Sequence, residues 1–134
     1  MITVLFQSES HYPANRKVIT DAITEALEQK MKGSRSVEVS VTVVGDRKMR
    51  QLNKSYRQID ATTDVLSFPQ NDPSQASVAP FVESPDGVLR LGDIVLSFPQ
   101  VVAEAAEENK LVDDMMVFLA LHGLDHLLGI HHPE

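Results

Sequence analysis

The most regular alternation of apolar and polar residues predicts a β-strand with one buried face, because side chains along a strand point alternately to its two faces. It comprises four valines at every second position, Val37, Val39, Val41 and Val43. Residues 2–6 predict a shorter strand. The six residues VLSFPQ stand at 65–70 and again at 95–100, and both copies are β-prone and stopped by proline. The pattern therefore predicts four strands.

Apolar positions three and four residues apart predict a helix on either side of the valine strand. The first is expected to open at Pro13 and to end at Gly33. Its apolar stripe consists of Val18, Ile19, Ala22, Ile23, Ala26 and Leu27. The second is predicted to be capped by Asp46 and to extend to about Tyr56. Its inward residues are expected to be Met49, Leu52 and Tyr56.

The second half of the chain predicts two more helices and a long connection. Pro99 can begin a helix over residues 101–108, and a last helix is expected from about Val112 to Gly129. Between the two VLSFPQ copies, residues 71–87 are rich in Pro, Ser, Asp and Asn and show little periodicity. This composition predicts a long exposed loop.

Length and composition are those of one ordinary globular domain spanning residues 1–134, with 43% hydrophobic and 23% charged residues. Cysteine is absent, so a metal held by this chain must use His, Asp or Glu. The amino terminus lacks a basic and apolar leader, and no apolar run is long enough to span a membrane. We therefore expect a soluble cytoplasmic protein without a membrane partner.

The net charge of −7 argues against a protein that coats nucleic acid nonspecifically, but the charge is unevenly distributed. Residues 1–57 carry ten Lys and Arg against six Asp and Glu, whereas residues 58–134 carry two against thirteen. The densest basic stretch consists of Arg47, Lys48, Arg50, Lys54 and Arg57. It is either a solvated helix face or part of an RNA-binding surface.

The pattern H-x-x-x-H-x-x-G-x-x-H near the carboxyl end predicts a metal site. His122 and His126 are four residues apart, so on a helix their imidazoles lie on one face and can converge on one ion. Gly129 can end the helix in the left-handed conformation, and the reversed chain can then supply His132 as a third ligand. A fourth coordination position is left open, as in catalytic zinc sites.

The same spacing occurs in metzincin peptidases, whose motif places glutamate directly after the first histidine as the general base. In this chain that position is Gly123. A peptidase therefore lacks its usual proton-transfer group here, and zinc peptidase activity is a remote alternative.

Three blocks of the chain resemble the YbeY endoribonucleases, which act in ribosomal RNA maturation. Residues 122–132 align without a gap to the family signature H-G-x-L-H-L-x-G-Y-D-H. A second block is similar to residues 53–57, Asp60 and residues 63–69, and a third to residues 91–95. The order and separation of the blocks fit, so the resemblance extends from about Val37 to His132.

This resemblance implies an α+β fold, with a small mixed sheet of about four strands packed with helices and a metal site on the final helix. It implies that His122, His126 and His132 bind one Zn²⁺. It also assigns Arg57 to the catalytic site together with His122. A guanidinium suits this role because its planar fork can hold two phosphoryl oxygens while staying charged.

The chain departs from the family pattern at three places. Asp125 stands where the family has Leu, and it is either an acceptor that orients the His122 ring or an exposed helical aspartate. His131 stands where the family has Asp and can compete with His132 for the metal, although the alignment favours His132. The chain ends at Glu134, which is expected to leave the site more exposed.

The first functional hypothesis is a zinc-dependent endoribonuclease that prefers single strands and acts on ribosomal RNA precursors of the small subunit, with no DNA substrate. The alternative is a noncatalytic RNA-binding or ribosome-assembly factor in which zinc ties down the last helix. Three ligands with an open fourth position favour the enzyme, since structural zinc is normally closed by four protein ligands. The cleavage site, the oligomeric state and any protein partner are not indicated by the residues.

Overall fold

The computed structural model describes residues 1–9, 11–31, 36–70 and 87–130. The elements in chain order are β1 (Ile2–Ser8), α1 (Arg16–Lys30), β2 (Ser36–Val44), α2 (Asp46–Arg57), β3 (Val65–Pro69), β4 (Val88–Ser97), α3 (Phe98–Glu107) and α4 (Val112–Leu127). The strands and helices expected from the pattern are all present. The predicted loop at residues 71–87 lies outside the described residues except for Gly87.

The four strands form one mixed sheet in the order β1-β2-β4-β3. β1, β2 and β4 run parallel, and β3 pairs antiparallel with the outer side of β4. The α+β class and the mixed sheet implied by the resemblance are confirmed. β3 is thus an edge strand, and residues 58–64 connect the end of α2 to it.

The two faces of the sheet are covered by different helices, because alternate residues of a strand point to opposite sides. Ile94 and Leu96 of β4 belong to the main core, together with α1, α3 and α4. Val95 points the other way and packs with Met49 of α2 and Leu66 of β3. α4 contacts α1, α3, β3 and β4, so it is the central helix and its side chains reach the β3 edge.

The first helix begins later than predicted, at Arg16 instead of Pro13. Asn15 takes the cap position, and its side-chain oxygen accepts a hydrogen bond from the Val18 amide at 3.3 Å. Ile19, Ile23 and Leu27 of the predicted stripe are buried, whereas Val18 is exposed on the first turn. The predicted end at Gly33 lies outside the described residues, and the helix ends at Lys30.

The prediction that Asp46 caps α2 is wrong, because Gly45 holds that position and Asp46 is already helical. The Asp46 carboxylate instead accepts hydrogen bonds from the Ser97 hydroxyl at 2.8 Å, from Thr62 at 3.0 Å and from the Gln100 amide at 3.2 Å. These contacts join the start of α2 to the end of β4 and the start of α3.

Tyr56 was predicted to point inward, but 64% of it is exposed. Its ring lies beside that of Phe68 with centroids 4.8 Å apart, at the β3 edge of the sheet. Met49, and not Tyr56, is therefore the α2 side chain that is buried against this face of the sheet, and Leu52 is partly buried beside it.

Candidate functional site

A cavity of about 650 Å³ opens between β3 and α4, beside the carboxyl end of α2. Its polar lining groups are Arg57, Thr63, Asp64, Ser67, His122 and His126. Its apolar walls are Val65, Leu66, Phe118, Leu119 and the backbone of Gly123. Arg57, His122 and His126, which are far apart in sequence, therefore share one cavity.

His122 and His126 lie on the last two turns of α4, one turn apart. Their ring centroids are 4.6 Å apart with an angle of 51° between the planes. His122 is half-buried and His126 is exposed at the mouth. Two imidazoles side by side in a cavity are a donor pair suited to a borderline cation such as zinc.

The left-handed helix end predicted at Gly129 is confirmed. α4 ends at Leu127, and Gly129 has a φ of 78°, in the left-handed region. The Gly129 amide donates to the His126 carbonyl at 3.1 Å, and the Ile130 amide donates to the Asp125 carbonyl at 2.8 Å. The helix therefore ends in a tight turn directly after the two histidines.

The third predicted ligand, His132, and its competitor, His131, lie outside the described residues. Within residues 1–9, 11–31, 36–70 and 87–130, no three His, Cys, Asp or Glu side chains are grouped so that they could hold a metal ion. The described part of the chain thus supplies two imidazoles that fit a metal and a turn leading onward from them.

Gly123 faces the sheet, away from the solvent. A Cβ at this position would lie 3.0 Å from Ile94 Cγ2 and 3.4 Å from Val65 Cγ2. A glutamate side chain here would start in contact with Ile94 of the core and Val65 of β3, so these residues would have to shift to admit it. This packing supports the sequence argument against a peptidase that uses this position for its general base.

Arg57 is the last residue of α2, and Gln58 ends the helix in the left-handed conformation with a φ of 59°. The buried Asn53 donates from its side-chain amide to the Ala61 carbonyl at 2.9 Å, which holds the following segment against the helix. The Arg57 side chain is exposed at the cavity wall. A phosphate that entered the cavity would therefore contact the guanidinium while both groups are still partly hydrated.

The rest of the basic cluster is solvated, as one of the two interpretations expected. Arg47, Lys48 and Lys54 are exposed on α2 and do not line the cavity. Arg50 pairs with Asp60 at 2.7 Å, and this hydrogen bond, together with the charge of Arg50, holds the pKa of Asp60 below its ordinary value. Of the five basic residues, Arg57 alone lines the cavity.

The prediction that Asp125 is an exposed helical aspartate is wrong. Only 13% of its side chain is exposed, and its Oδ1 accepts from Lys30 of α1 at 2.6 Å. The ion pair joins the last turn of α4 to the last turn of α1, on the same turn as His126. Asp125 thus holds the carboxyl end of α4, which carries His122 and His126, against α1.

A pair of carboxyl groups behind the cavity was not singled out from the sequence. Asp64 lines the cavity, and its Oδ1 accepts from the Val65 amide at 2.6 Å. Glu104 of α3 is hydrogen-bonded to Asp64. Burial, the hydrogen bond to Asp64 and the charges of Asp64, Glu108 and Glu107 together raise the pKa of Glu104 from 4.5 to about 7, with burial as the largest cause.

We expect this pair to make stability depend on pH. Between pH 4.5 and about 7, folded Glu104 keeps a proton that the unfolded chain has released, so the free energy of unfolding falls as the pH rises through this window. Glu104→Gln should remove that slope and raise the melting temperature relative to wild type above pH 7, with little difference below pH 5. Thermal unfolding at pH 5 to 8.5 measures this.

The control for Glu104→Gln is Glu25→Gln, which removes one exposed acidic charge from α1. It should leave the slope of the wild-type pH curve unchanged. Parallel pH curves for wild type and Glu104→Gln would show that Glu104 ionises normally in the folded chain.

Comparison with known proteins identifies relatives of this chain. Residues 5–134 match the profile of the family described as endoribonuclease YbeY. A protein named endoribonuclease YbeY from Roseiflexus sp. strain RS-1 is 44% identical over 98 residues, which are 73% of this chain and 59% of that protein. One with the same name from Moorella thermoacetica is 42% identical over 95 residues, 71% of this chain and 60% of that protein. The alignments thus span about three fifths of these relatives.

The fold also has a counterpart among solved structures. The solution structure of TM1509 from Thermotoga maritima superimposes with a TM-score of 0.58 at 24% identity, covering 97% of this chain and 75% of that one. This likeness supports the architecture. None of the helices formed by the described residues has the length and apolar character needed to cross a membrane.

Proposed function

The chain belongs to the endoribonuclease YbeY family, and on that premise we propose that it is a zinc-dependent endoribonuclease that cuts single-stranded RNA. The observation that carries this proposal is the single cavity in which Arg57 lies with His122 and His126. A metal ion that polarises the phosphate and a cation that binds its oxygens can together promote phosphodiester cleavage.

The proposed ligands of one Zn²⁺ are His122, His126 and His132. When bound, the ion supplies Lewis-acid chemistry at the phosphate and acidifies water. The 4.6 Å separation of the first two rings and the turn at Gly129 support this ligand set. His122, which is half-buried and lines the cavity, is also proposed to orient the phosphate that enters.

Arg57 binds the phosphate and stabilises the negative charge that grows on its oxygens during cleavage. Its guanidinium stays charged at every physiological pH and can donate two parallel hydrogen bonds. Its place at the end of α2 is fixed from both directions, by Asp46 at the start of the helix and by Asn53 near its end. A donor carried on a fixed helix end needs less reorganisation when the transition state forms.

The proposed substrate is a ribosomal RNA precursor of the small subunit, and the proposed place of action is the cytoplasm. Residues 1–134 are proposed to work as one domain, since every described strand joins one sheet and α4 contacts elements from both halves of the chain. The aromatic content of 5% offers few groups for reading several bases, so the surrounding ribosomal structure selects the cleavage site.

We expect Arg57→Ala to lower cleavage of single-stranded RNA by about 100- to 1000-fold, the usual cost of removing one fixed donor to a transition-state oxyanion. The measurement is cleavage of a labelled single-stranded RNA by metal-loaded protein. Lys48→Ala is the matched control, because Lys48 is an exposed cation of the same helix outside the cavity. It should lose little activity.

A metal chelator should abolish cleavage by wild type, and added zinc should restore it. Equal cleavage by wild type, by Arg57→Ala and by chelated samples would point to a contaminating nuclease and contradict the proposal. If the metal-loaded protein never cuts RNA but loses its thermal transition without metal, the noncatalytic RNA-binding alternative is supported instead.

A further inference from the structure

We propose that Phe118 is the stacking surface for an unpaired base of the RNA in the cavity, and that it gives the site its preference for single strands. This inference rests on the proposed function, because it concerns the substrate of the same cavity. It assigns a specificity role to a residue that does not touch the reacting atoms.

Phe118 is unusually exposed for a phenylalanine on a core helix. Its exposed fraction is 57%, although its neighbours on α4, Leu119 and Met115, are buried. Among the aromatic residues of the described ranges, Phe118 is the one that lines the cavity. The ring therefore offers an apolar surface to whatever enters, and it contributes little to the core.

The position of Phe118 on α4 relates it directly to the histidine pair. Phe118, His122 and His126 are spaced four residues apart, so they lie on one face of the helix in successive turns. A nucleotide whose phosphate lies between His122 and Arg57 would have its base about one helical turn away. Phe118 stands one turn from His122 on that face.

The charge around the ring also suits a nucleotide. Lys110 Nζ lies over one face of the Phe118 ring, 5.0 Å from its centroid, and also pairs with Glu108 at 3.4 Å, so the base is proposed to stack on the opposite face. A cation next to an aromatic surface favours a stacked base that carries a phosphate on its sugar. An apolar peptide side chain would gain nothing from this ammonium group.

Stacking on Phe118 discriminates between single and double strands because it needs a base with an accessible face. In a duplex both faces of each base are covered by its neighbours, whereas an unpaired base can turn a face to a protein ring. Because every base has such a face, the contact selects unpaired RNA without reading its sequence. This agrees with a chain that has few aromatic residues.

The test uses a short single-stranded RNA that contains 2-aminopurine and carries 2′-O-methyl groups, and gel electrophoresis after each titration checks that it has stayed intact. Stacking should quench its fluorescence in wild type. Phe118→Ala should bind it about 10-fold more weakly and lose the quenching, as expected when one base–aromatic stack is removed. Phe118→Trp should restore both. Leu111→Ala is the matched control. Leu111 caps the start of the same helix, is 72% exposed and lies outside the cavity.

Two further probes decide whether the effect acts through the base. An abasic RNA of the same length, and a duplex RNA, should each bind equally to wild type and to Phe118→Ala. Unchanged binding of the single strand by folded Phe118→Ala, an equal loss on the abasic probe, or no binding by wild type would each overturn the inference. Because quenching reports binding and not cleavage, quenching by wild type supports the stacking role even if the chain cleaves no RNA.

Discussion

Replacing Gly92 by alanine should destabilise the chain by at least about 3 kcal/mol. Gly92 of β4 pairs with Pro69 of β3 and has a φ of 137°. A Cβ here would overlap the Phe68 carbonyl oxygen and lie 2.9 Å from Gln70 N and Pro69 Cα. All three are backbone atoms, so no side-chain rotation relieves the contact.

The loss should appear as a melting temperature lower by about 10 °C and a matching fall in the urea midpoint. Gly87→Ala is the matched control. Gly87 also has a positive φ, 76°, but no atom of the described residues lies within 4 Å of its added Cβ, so this variant measures conformational strain, about 1 kcal/mol. Equal stability of the two variants would show that β3 yields to the methyl group and is not held closely against β4.

The consequence of Gly92 reaches the cavity, because β3 forms one of its walls. Val65, Leu66 and Ser67 of β3 line the cavity opposite α4. A β3 strand displaced by the extra methyl would move Asp64 and its hydrogen-bonded partner Glu104 as well. The close approach of the two strands at Gly92 is therefore a condition for the shape of the site.

The two VLSFPQ segments show how far local sequence predicts structure. The first copy is an edge strand that extends to Pro69, as expected. In the second copy the strand ends at Ser97, and Phe98 and Pro99 already form the first turn of α3. The difference comes from tertiary contacts, because Ser97 is fully buried and donates to Asp46, whose hydrogen bonds also reach Gln100 of α3. The six residues alone cannot predict this difference, because the deciding partner, Asp46, is distant in sequence.

The candidate site divides in the same way into local and long-range features. The pairing of His122 with His126 and the turn at Gly129 follow from helical spacing and from the freedom of glycine, so the sequence predicts them. Arg57 was assigned by resemblance, since nothing in its local pattern separates it from the other basic residues of α2. Its place beside the histidines depends on β3 joining β4 as an antiparallel edge.

Asp64, Glu104 and Phe118 could not have been selected from the sequence for a related reason. An acidic residue on a helix that starts with Pro99, or an aromatic residue on an apolar stripe, ordinarily indicates a solvated face or a core position. Only the packing of α3 and α4 against the β3 edge brings Glu104 to Asp64 and leaves Phe118 at the rim.

Replacing His126 by alanine should lower the affinity for zinc by at least about 100-fold and reduce RNA cleavage to the level of the chelated protein, because two ligands cannot hold the ion that three hold. His126 is exposed at the cavity mouth, so the fold should survive. Zinc binding measured by competition with a chromogenic chelator tests the first effect. His11→Gln, at an exposed histidine outside the cavity, should change neither quantity.

The most direct test of the proposed site is X-ray absorption at the zinc edge on the loaded wild-type protein and on His132→Ala. We expect three imidazole nitrogens at about 2.0 to 2.1 Å and a fourth position without a protein ligand in wild type, and one imidazole fewer in the variant. A wild-type spectrum with four protein ligands, or an unchanged spectrum for His132→Ala, would contradict the three-histidine centre and, in the first case, leave no place for a phosphate.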